Sequence, residues 1–305
     1  MYSDIVFDYV NSINTESDKD IDLRREELGE GIIRERYDIK TDEEALEFGK
    51  PIGRYELLTI PDTLMMRQVD IDASVIAVSK ILRSIIGSIK SKDRVLIVGL
   101  GNRHISSDSL GAKVVGKVNI TINNDKLPKV MAISPSVMGL TGIETVDIIE
   151  GVIMKTHATH VILIDSLCAS SASRLGTSIQ ITNTGICPGG GVGNRRKCID
   201  KTIADHVYSI GVPLLIYAST FVSDTLANNN ITTDVLEGIM QSNIKDTKNK
   251  DILNVITNLK RVIKDDIDKM IVCQKDIEEC VDILSEIISK SINSVMGVGG
   301  EILRL

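Results

Sequence analysis

Two aspartates define the chemistry open to this sequence. Asp108 follows the apolar run Val95-Leu96-Ile97-Val98 and the turn Gly99-Leu100-Gly101-Asn102; Asp165 ends a second apolar run, His160-Val161-Ile162-Leu163-Ile164. Aliphatic runs without alternation are the pattern of parallel strands buried on both faces. Ligands in open α/β sheets bind at the carboxyl ends of such strands. If the two strands are neighbours, the carboxylates converge across the sheet crest. A close pair does not readily hold two charges, so one carboxyl stays protonated and the pair offers a general acid and a general base. That combination suits the activation of water against a peptide carbonyl. Two other readings stand beside it. The same carboxylates with His104 as a third ligand could hold a metal, and Asp108 could simply cap the helical stripe of Leu110, Val114, Val115 and Val118.

A glycine-rich loop, 185–194, is the next candidate. Its glycines, Gly189, Gly190 and Gly191 among them, could turn backbone N–H groups toward an oxyanion, or could form a tight connection packed on the sheet. It has neither the Lys-Ser/Thr ending of a phosphate-binding loop nor the spacing of a dinucleotide fingerprint, so nucleotide binding is not indicated. Arg195, within the basic run Arg195-Arg196-Lys197, could hold an acidic substrate residue.

The elements that must position these groups follow from periodicity. Strands are expected at 32–39, 55–60, 95–98, 130–133, 160–164, 177–182 and 212–217, alternating over the central part with helices at 70–90, after Asp108 and after Thr141. Thr141 and Glu144 have the spacing of a capping box. Segments 252–267 and 276–295 read as amphipathic helices. Residues 1–30, polar and acidic, read as a loose or partly helical segment. The expectation is one α/β domain over residues 1–305 with a mostly parallel sheet flanked by helices. It comprises a small β unit at 31–60, a catalytic core at 70–224 and a C-terminal helical region at 225–305.

Composition narrows the class of function. The chain has 305 residues, 43% hydrophobic and 25% charged, with a formal net charge of -7. The acidic balance argues against direct nucleic-acid binding. No apolar run has the length of a membrane span or a signal peptide, which points to a cytoplasmic protein without a membrane partner. The five cysteines, Cys168, Cys187, Cys198, Cys273 and Cys280, have no zinc-ligand spacing and read as free thiols. Cys273 and Cys280, a heptad apart, are expected to share a helix face. His157, His160 and His206 read as structural or surface residues.

A set of ordered blocks covering nearly the whole chain resembles the germination protease family of spore-forming bacteria. The blocks are Val98-Gly99-Leu100-Gly101-Asn102 with Asp108-Ser109-Leu110-Gly111, Pro135-Ser136-Val137-Met138-Gly139-Leu140-Thr141-Gly142-Ile143-Glu144-Thr145, Ile164-Asp165-Ser166-Leu167, Gly191-Val192-Gly193-Asn194 and Ile210-Gly211-Val212-Pro213. The resemblance implies a hydrogenase-maturation-protease-like α/β fold and an atypical aspartic endopeptidase without a cofactor, acting as a homotetramer. It puts the catalytic pair on Asp108 and Asp165, and Glu144, Gly189, Gly190, Gly191, Asn194 and Arg195 are carried as substrate-binding or site-shaping residues. Its implied substrates are small acid-soluble spore proteins of the forespore or spore core, cut after Glu and before an apolar residue. Family members clip their own N-terminus, and Ser3-Asp4-Ile5-Val6-Phe7-Asp8 resembles that site, which places processing between Asp4 and Ile5 with a pro-segment of residues 1–4. The chain departs from the family pattern at Ser106-Ser107, Asn183 and Tyr217.

Overall fold

The computed structural model describes residues 3–10, 22–186, 198–228 and 270–298. Its strands are β1 (Arg24–Gly29), β2 (Ile32–Ile39), β3 (Gly53–Thr59), β4 (Arg94–Gly99), β5 (Lys129–Ile133), β6 (His160–Ala169), β7 (Ser178–Thr182), β8 (His206–Tyr217) and β9 (Ile271–Val272). They form one nine-stranded sheet in the order β1-β2-β3-β7-β8-β6-β4-β5, with β9 beside β8. The α/β expectation holds, and the sheet is mixed. Strands β8, β6, β4 and β5 pair in parallel, whereas β1, β2, β3, β7 and β8 pair antiparallel. "Mostly parallel" therefore describes only the half that carries the two aspartates. The segment 31–60 is not a separate unit, because β3 hydrogen-bonds to β7 and extends the same sheet.

The helices are α1 (Asp42–Phe48), α2 (Gln68–Ile86), α3 (Leu110–Val115), α4 (Met138–Thr141), α5 (Thr145–Thr156), α6 (Ala218–Asn228) and α7 (Ile277–Val295). Because successive strand side chains point to opposite faces, β4 feeds two cores. Val95 and Ile97 join Ile162, Ile164, Ile210 and Val212 under α2, α3 and α7. Leu96 and Val98 join Val161, Leu163 and Val207 under α5. This double burial accounts for the unalternating aliphatic runs. On the α5 face, farther along the sheet, Tyr55, Leu57 and Leu167 pack with Phe48 and with Ile5, Val6, Phe7 and Val10 of the N-terminal segment.

Of the two readings of residues 1–30, loose or partly helical, the second holds for residues 6–10, and the correction is their burial. Residues 6–10 are helical, and Ile5, Val6 and Phe7 are wholly buried. The run Ile5-Val6-Phe7 is short and flanked by acidic residues, so its composition hides it. Strand β1 is a second correction. Arg24, Arg25, Glu26 and Glu27 are exposed and held by pairing to β2, a charged edge that discourages further pairing. The Thr141–Glu144 capping box does not form. Thr141 ends α4, its hydroxyl bonding Val137 O and Ile143 O, and Glu144 is the N-cap residue of α5 without a side-chain cap bond.

Segment 276–295 is helical as expected; 252–267 lies outside the described residues. Cys280 is buried on α7 and takes the Thr63 hydroxyl at 3.1 Å, whereas Cys273 is exposed before the helix, so the two share no face. Cys168, Cys273 and Cys280 are free thiols, but Cys198 is disulfide-bonded, against the free-thiol expectation. Among the described residues, no helix is long and apolar enough to cross a membrane.

Candidate active site

Strands β4 and β6 are parallel neighbours with Gly99 opposite Ile164, and Leu100 N–H extends the ladder to Ile164 O at 2.8 Å. The chain then leaves the crest through Gly101, at φ +90°, a conformation that side chains other than glycine rarely adopt. A Cβ at Gly101 would collide with the Asp108 backbone oxygen and carboxylate, so the glycine is also the floor on which Asp108 sits. Asp108 ends a single 3-10 turn, Ser106–Asp108, which contacts both β6 and β8. Its Oδ2 accepts the Asn102 N–H at 2.7 Å. The helix-cap reading fails here: the N-cap of α3 is Ser109, with no side-chain cap bond, and the Asp108 carboxylate turns back toward the crest. Ser106, one of the departures from the family pattern, ties this turn to α7 by donating to Glu278 Oε1 at 2.9 Å.

Asp165 lies one residue beyond Ile164 on β6 and directly opposite Gly211 of β8. Side-chain alternation puts it on the α5 face of the sheet, with Leu163 and Leu167. Its Oδ1 accepts the Ser166 N–H at 2.9 Å. The carboxyl keeps some access to the cleft but is closely surrounded by protein, and it has no cation beside it among the described residues. Burial first, then the charges of Asp108 and Asp4, push its pKa well above the usual carboxylate range, against the opposing Ser166 N–H. Asp108 is also raised, by burial, while the Asn102 N–H favours its ionised form. After burial, the charge of Asp108 is the next cause that disfavours ionisation of Asp165.

Beyond β5 lie two buried hydroxyls, Ser134 and Ser136, without hydrogen-bond partners among the described residues, and Ser136 holds φ at 68°. A left-handed backbone at a non-glycine residue stores strain that the surroundings must hold in place. Beside Gly211, a cavity of about 240 Å³ opens between the sheet crest and α1, lined among others by Leu167, Gln180, Ser209, Asp4 and Lys50.

The N-terminal segment runs along this cavity. Asp4 N–H donates to Cys168 O at 2.9 Å, and the Cys168 N–H donates to Asp4 Oδ2 at 2.9 Å. Gln180 clasps the next peptides, its Nε2 donating to Asp4 O and its Oε1 accepting the Val6 N–H. The Asp4–Ile5 pair thus lies on the extension of β6 just beyond Asp165. Among the other expected residues, Glu144 is half-buried at the start of α5 and makes no side-chain cap bond. His104 is exposed, and among the described residues no three His, Cys, Asp or Glu side chains form a metal-holding group, so the trio with Asp108 and Asp165 does not assemble. Gly189, Gly190, Gly191, Asn194 and Arg195 lie outside the described residues. Asn183 has a plain structural role, its Oδ1 accepting the Arg54 N–H at 2.9 Å.

Three contributors were not assigned a role from sequence. Asn102 supplies the N–H on Asp108, and its place after Gly101 at a strand exit was the available signal. Gln180 lies in Ile179-Gln180-Ile181, a further block of the family resemblance, whereas Lys50 carries no motif, and only the fold brings it to the site.

Comparison with known proteins identifies the family. A family model described as germination protease matches residues 8–229. The chain is 33% identical over 287 residues to a germination protease of Caldanaerobacter subterraneus subsp. tengcongensis, covering 90% of this chain and 88% of that protein. It is 34% identical over 275 residues to one from Clostridium perfringens, covering 84% and 82%, and 36% identical over 266 residues to one from Clostridium tetani, covering 80% and 78%. Both aspartates and the strands that present them fall within the matched region. The chain belongs to the germination protease family, and with it to the peptidases.

Proposed function

We propose that this chain is an endopeptidase of the atypical aspartic type, in which Asp108 and Asp165 activate water without a covalent intermediate. The observation that carries this reading is a carboxylate on β6 and another in the turn that follows its parallel neighbour β4, with burial first and the Asp108 charge next raising the Asp165 pKa well above the usual carboxylate range. In the proposed mechanism Asp108, whose ionised form the Asn102 N–H favours, takes a proton from water. Protonated Asp165 donates to the oxygen of the scissile carbonyl as negative charge develops there. Collapse of the tetrahedral intermediate delivers a proton to the leaving amine and restores the pair.

The substrate class belongs to the same proposal: small acid-soluble spore proteins, degraded as a spore germinates, with the enzyme acting in the forespore or spore core as a homotetramer. Support comes from the family blocks around both aspartates and from relatives named as germination proteases. Processing between Asp4 and Ile5 is a further part of it, supported by the likeness of residues 3–8 to the family's own clipping site and by their position beside Asp165. Intact mass of the protein from mature spores tests the processing; an active sample of full-length mass rules it out.

The decisive experiment is incubation of the purified protein with a small acid-soluble spore protein, with fragments identified by mass spectrometry. Wild type is expected to cut; Asp108→Asn and Asp165→Asn are expected to leave the substrate whole. Substantial turnover by either variant overturns the dyad.

A further inference from the structure

We infer that Lys50 is the specificity residue of this cleft: its ammonium binds the carboxylate of an acidic side chain presented next to the scissile bond. This rests on the peptidase reading of Asp108 and Asp165 and adds to it the residue that selects the substrate. Lys50 is held firmly at its backbone. Gly49, at φ 60°, ends α1 in the left-handed conformation, the Lys50 N–H bonds Ala45 O at 3.1 Å, and Pro51 follows, its carbonyl accepting the Tyr55 hydroxyl at 2.7 Å. The C-terminal turn of α1 therefore fixes where the side chain starts.

From there Lys50 lines the cavity beside Gly211, the residue directly across β8 from Asp165. It is the only cation among the described lining residues. Other poorly exposed cations are matched: Arg174 holds Asp8 at 2.5 Å, and on the other face of the sheet Arg34 and Arg54 hold Glu56. Lys50 makes no side-chain hydrogen bond or ion pair with any described residue. Its burial disfavours the charge, and the charges of Asp4 and Asp8 oppose that effect without contact. A cation kept partly out of water and left unpaired gains most from a ligand that brings an anion.

The chain's own N-terminal segment indicates how such a ligand reaches it. The charge of Asp4 acts on Lys50 on one side and on Asp165 on the other. Its backbone N–H bonds β6 at Cys168, as a strand added to the open edge of the sheet would do. An acidic side chain on a peptide held there enters the space between the ammonium and the dyad. Asp4 itself is bound by the Cys168 N–H and forms no ion pair with Lys50, so the cation stays available. The need for it is electrostatic. Asp4 and Asp108 make the cleft acidic, and without Lys50 a peptide carboxylate would be repelled from it.

The test uses the full chain and two peptides that differ only in Glu or Gln on the amino side of the scissile bond. Wild type is expected to favour the Glu peptide about 10- to 100-fold in kcat/KM, the range of a hydrogen bond to a charged group. In Lys50→Met the preference is expected to collapse to about one, through KM on the Glu peptide. Lys50→Arg is expected to keep most of it, which separates a charge effect from a disturbed α1 terminus. A second arm measures binding of the same fluorescently labelled peptides to Asp165→Asn protein, with and without Lys50→Met. If wild type cuts neither peptide, the peptidase reading fails, and the binding ratio alone decides the role of Lys50. Equal affinity for the two peptides, or a ratio that survives Lys50→Met, overturns the assignment.

Discussion

The sheet holds two closely surrounded carboxylates in opposite electrostatic settings. In the antiparallel half, Glu56 is fully buried and held by two arginines: Arg34, donating from Nε at 2.8 Å and Nη2 at 3.0 Å, and Arg54, donating from Nε at 2.6 Å. In the parallel half, Asp165 has no cation beside it among the described residues, and two further aspartates add to its load. Both are acids on strands of one sheet, yet the first is neutralised by its neighbours and the second is set against them. A paired buried carboxylate is an ordinary structural device, whereas an unpaired one among like charges is held where reactivity needs it. The same contrast extends to the cations, with Arg34 and Arg54 matched and Lys50 open.

The largest effect expected from this contrast is on catalysis. Asp165→Asn and Asp108→Asn should each lower the cleavage rate roughly a thousandfold or more, the scale of losing a positioned acid or base. Asp165→Asn should not weaken the fold at neutral pH. In wild type, the folded state keeps a proton on Asp165 that the unfolded chain releases once the pH passes the ordinary carboxylate value. Stability contributed by this group is therefore full at low pH and falls as pH climbs toward the raised folded-state value. Urea titrations at pH 4 and pH 7 should show that decline in wild type and a smaller one in Asp165→Asn. Identical slopes would mean that Asp165 is not held neutral.

Glu56→Gln probes the other half and should reverse the pattern. Removing the charge leaves Arg34 and Arg54 facing an amide, and about 3 kcal/mol of stability should be lost. That is the lower end for a broken buried pair, because both guanidiniums keep some contact with water. Cleavage below the melting transition should persist, since Glu56 lies on the opposite face from the dyad. A variant as stable as wild type would show that the two arginines do not depend on Glu56, and the comparison would lose its structural arm.

Gly101→Ala sharpens the site half on its own. The strain at φ +90° and the collision with Asp108 should together lower stability by about 1–3 kcal/mol. Activity should fall roughly 10- to 100-fold as Asp108 is displaced from the crest. The diagnostic is the excess loss of rate over stability: full activity in the folded variant would show that the position of Asp108 is not critical.

Much of the site half was readable because double burial leaves a direct trace. The aliphatic runs before Asp108 and Asp165 mark strands covered on both faces, and the end of each run marks the crest. The antiparallel half left weaker traces. In β1 the residues Arg24 to Glu27 are all charged, and nothing local distinguishes them from a solvated loop; pairing with β2 makes them a strand. The same holds for Ile5-Val6-Phe7, whose burial depends on Leu57 and Leu167 from distant strands. Thr141 and Glu144 mislead for a related reason: their spacing fits a capping box, but Gly142, at φ +71°, ends α4 between them. Lys50 had no local mark, since its meaning lies in the absence of a partner, and only three-dimensional placement reveals that.

The smallest effect concerns Ser106, where this chain departs from the family blocks. Its hydroxyl donates to Glu278 Oε1 at 2.9 Å and its carbonyl accepts from the Ser109 hydroxyl at 2.9 Å, so the turn before Asp108 is joined to α7. Proline in the neighbouring position would fix this turn through its backbone; here hydrogen bonds hold it. Ser106→Ala removes the exposed link to Glu278 and should cost about 0.5–1 kcal/mol, with a fall in cleavage of only a few-fold and KM unchanged. Ser107→Pro in the Ser106→Ala background should restore the lost rate by limiting the turn in another way. Rescue would place the effect in the positioning of Asp108; no change of rate in Ser106→Ala would show that the turn is already held by Gly101 and the Asn102 N–H.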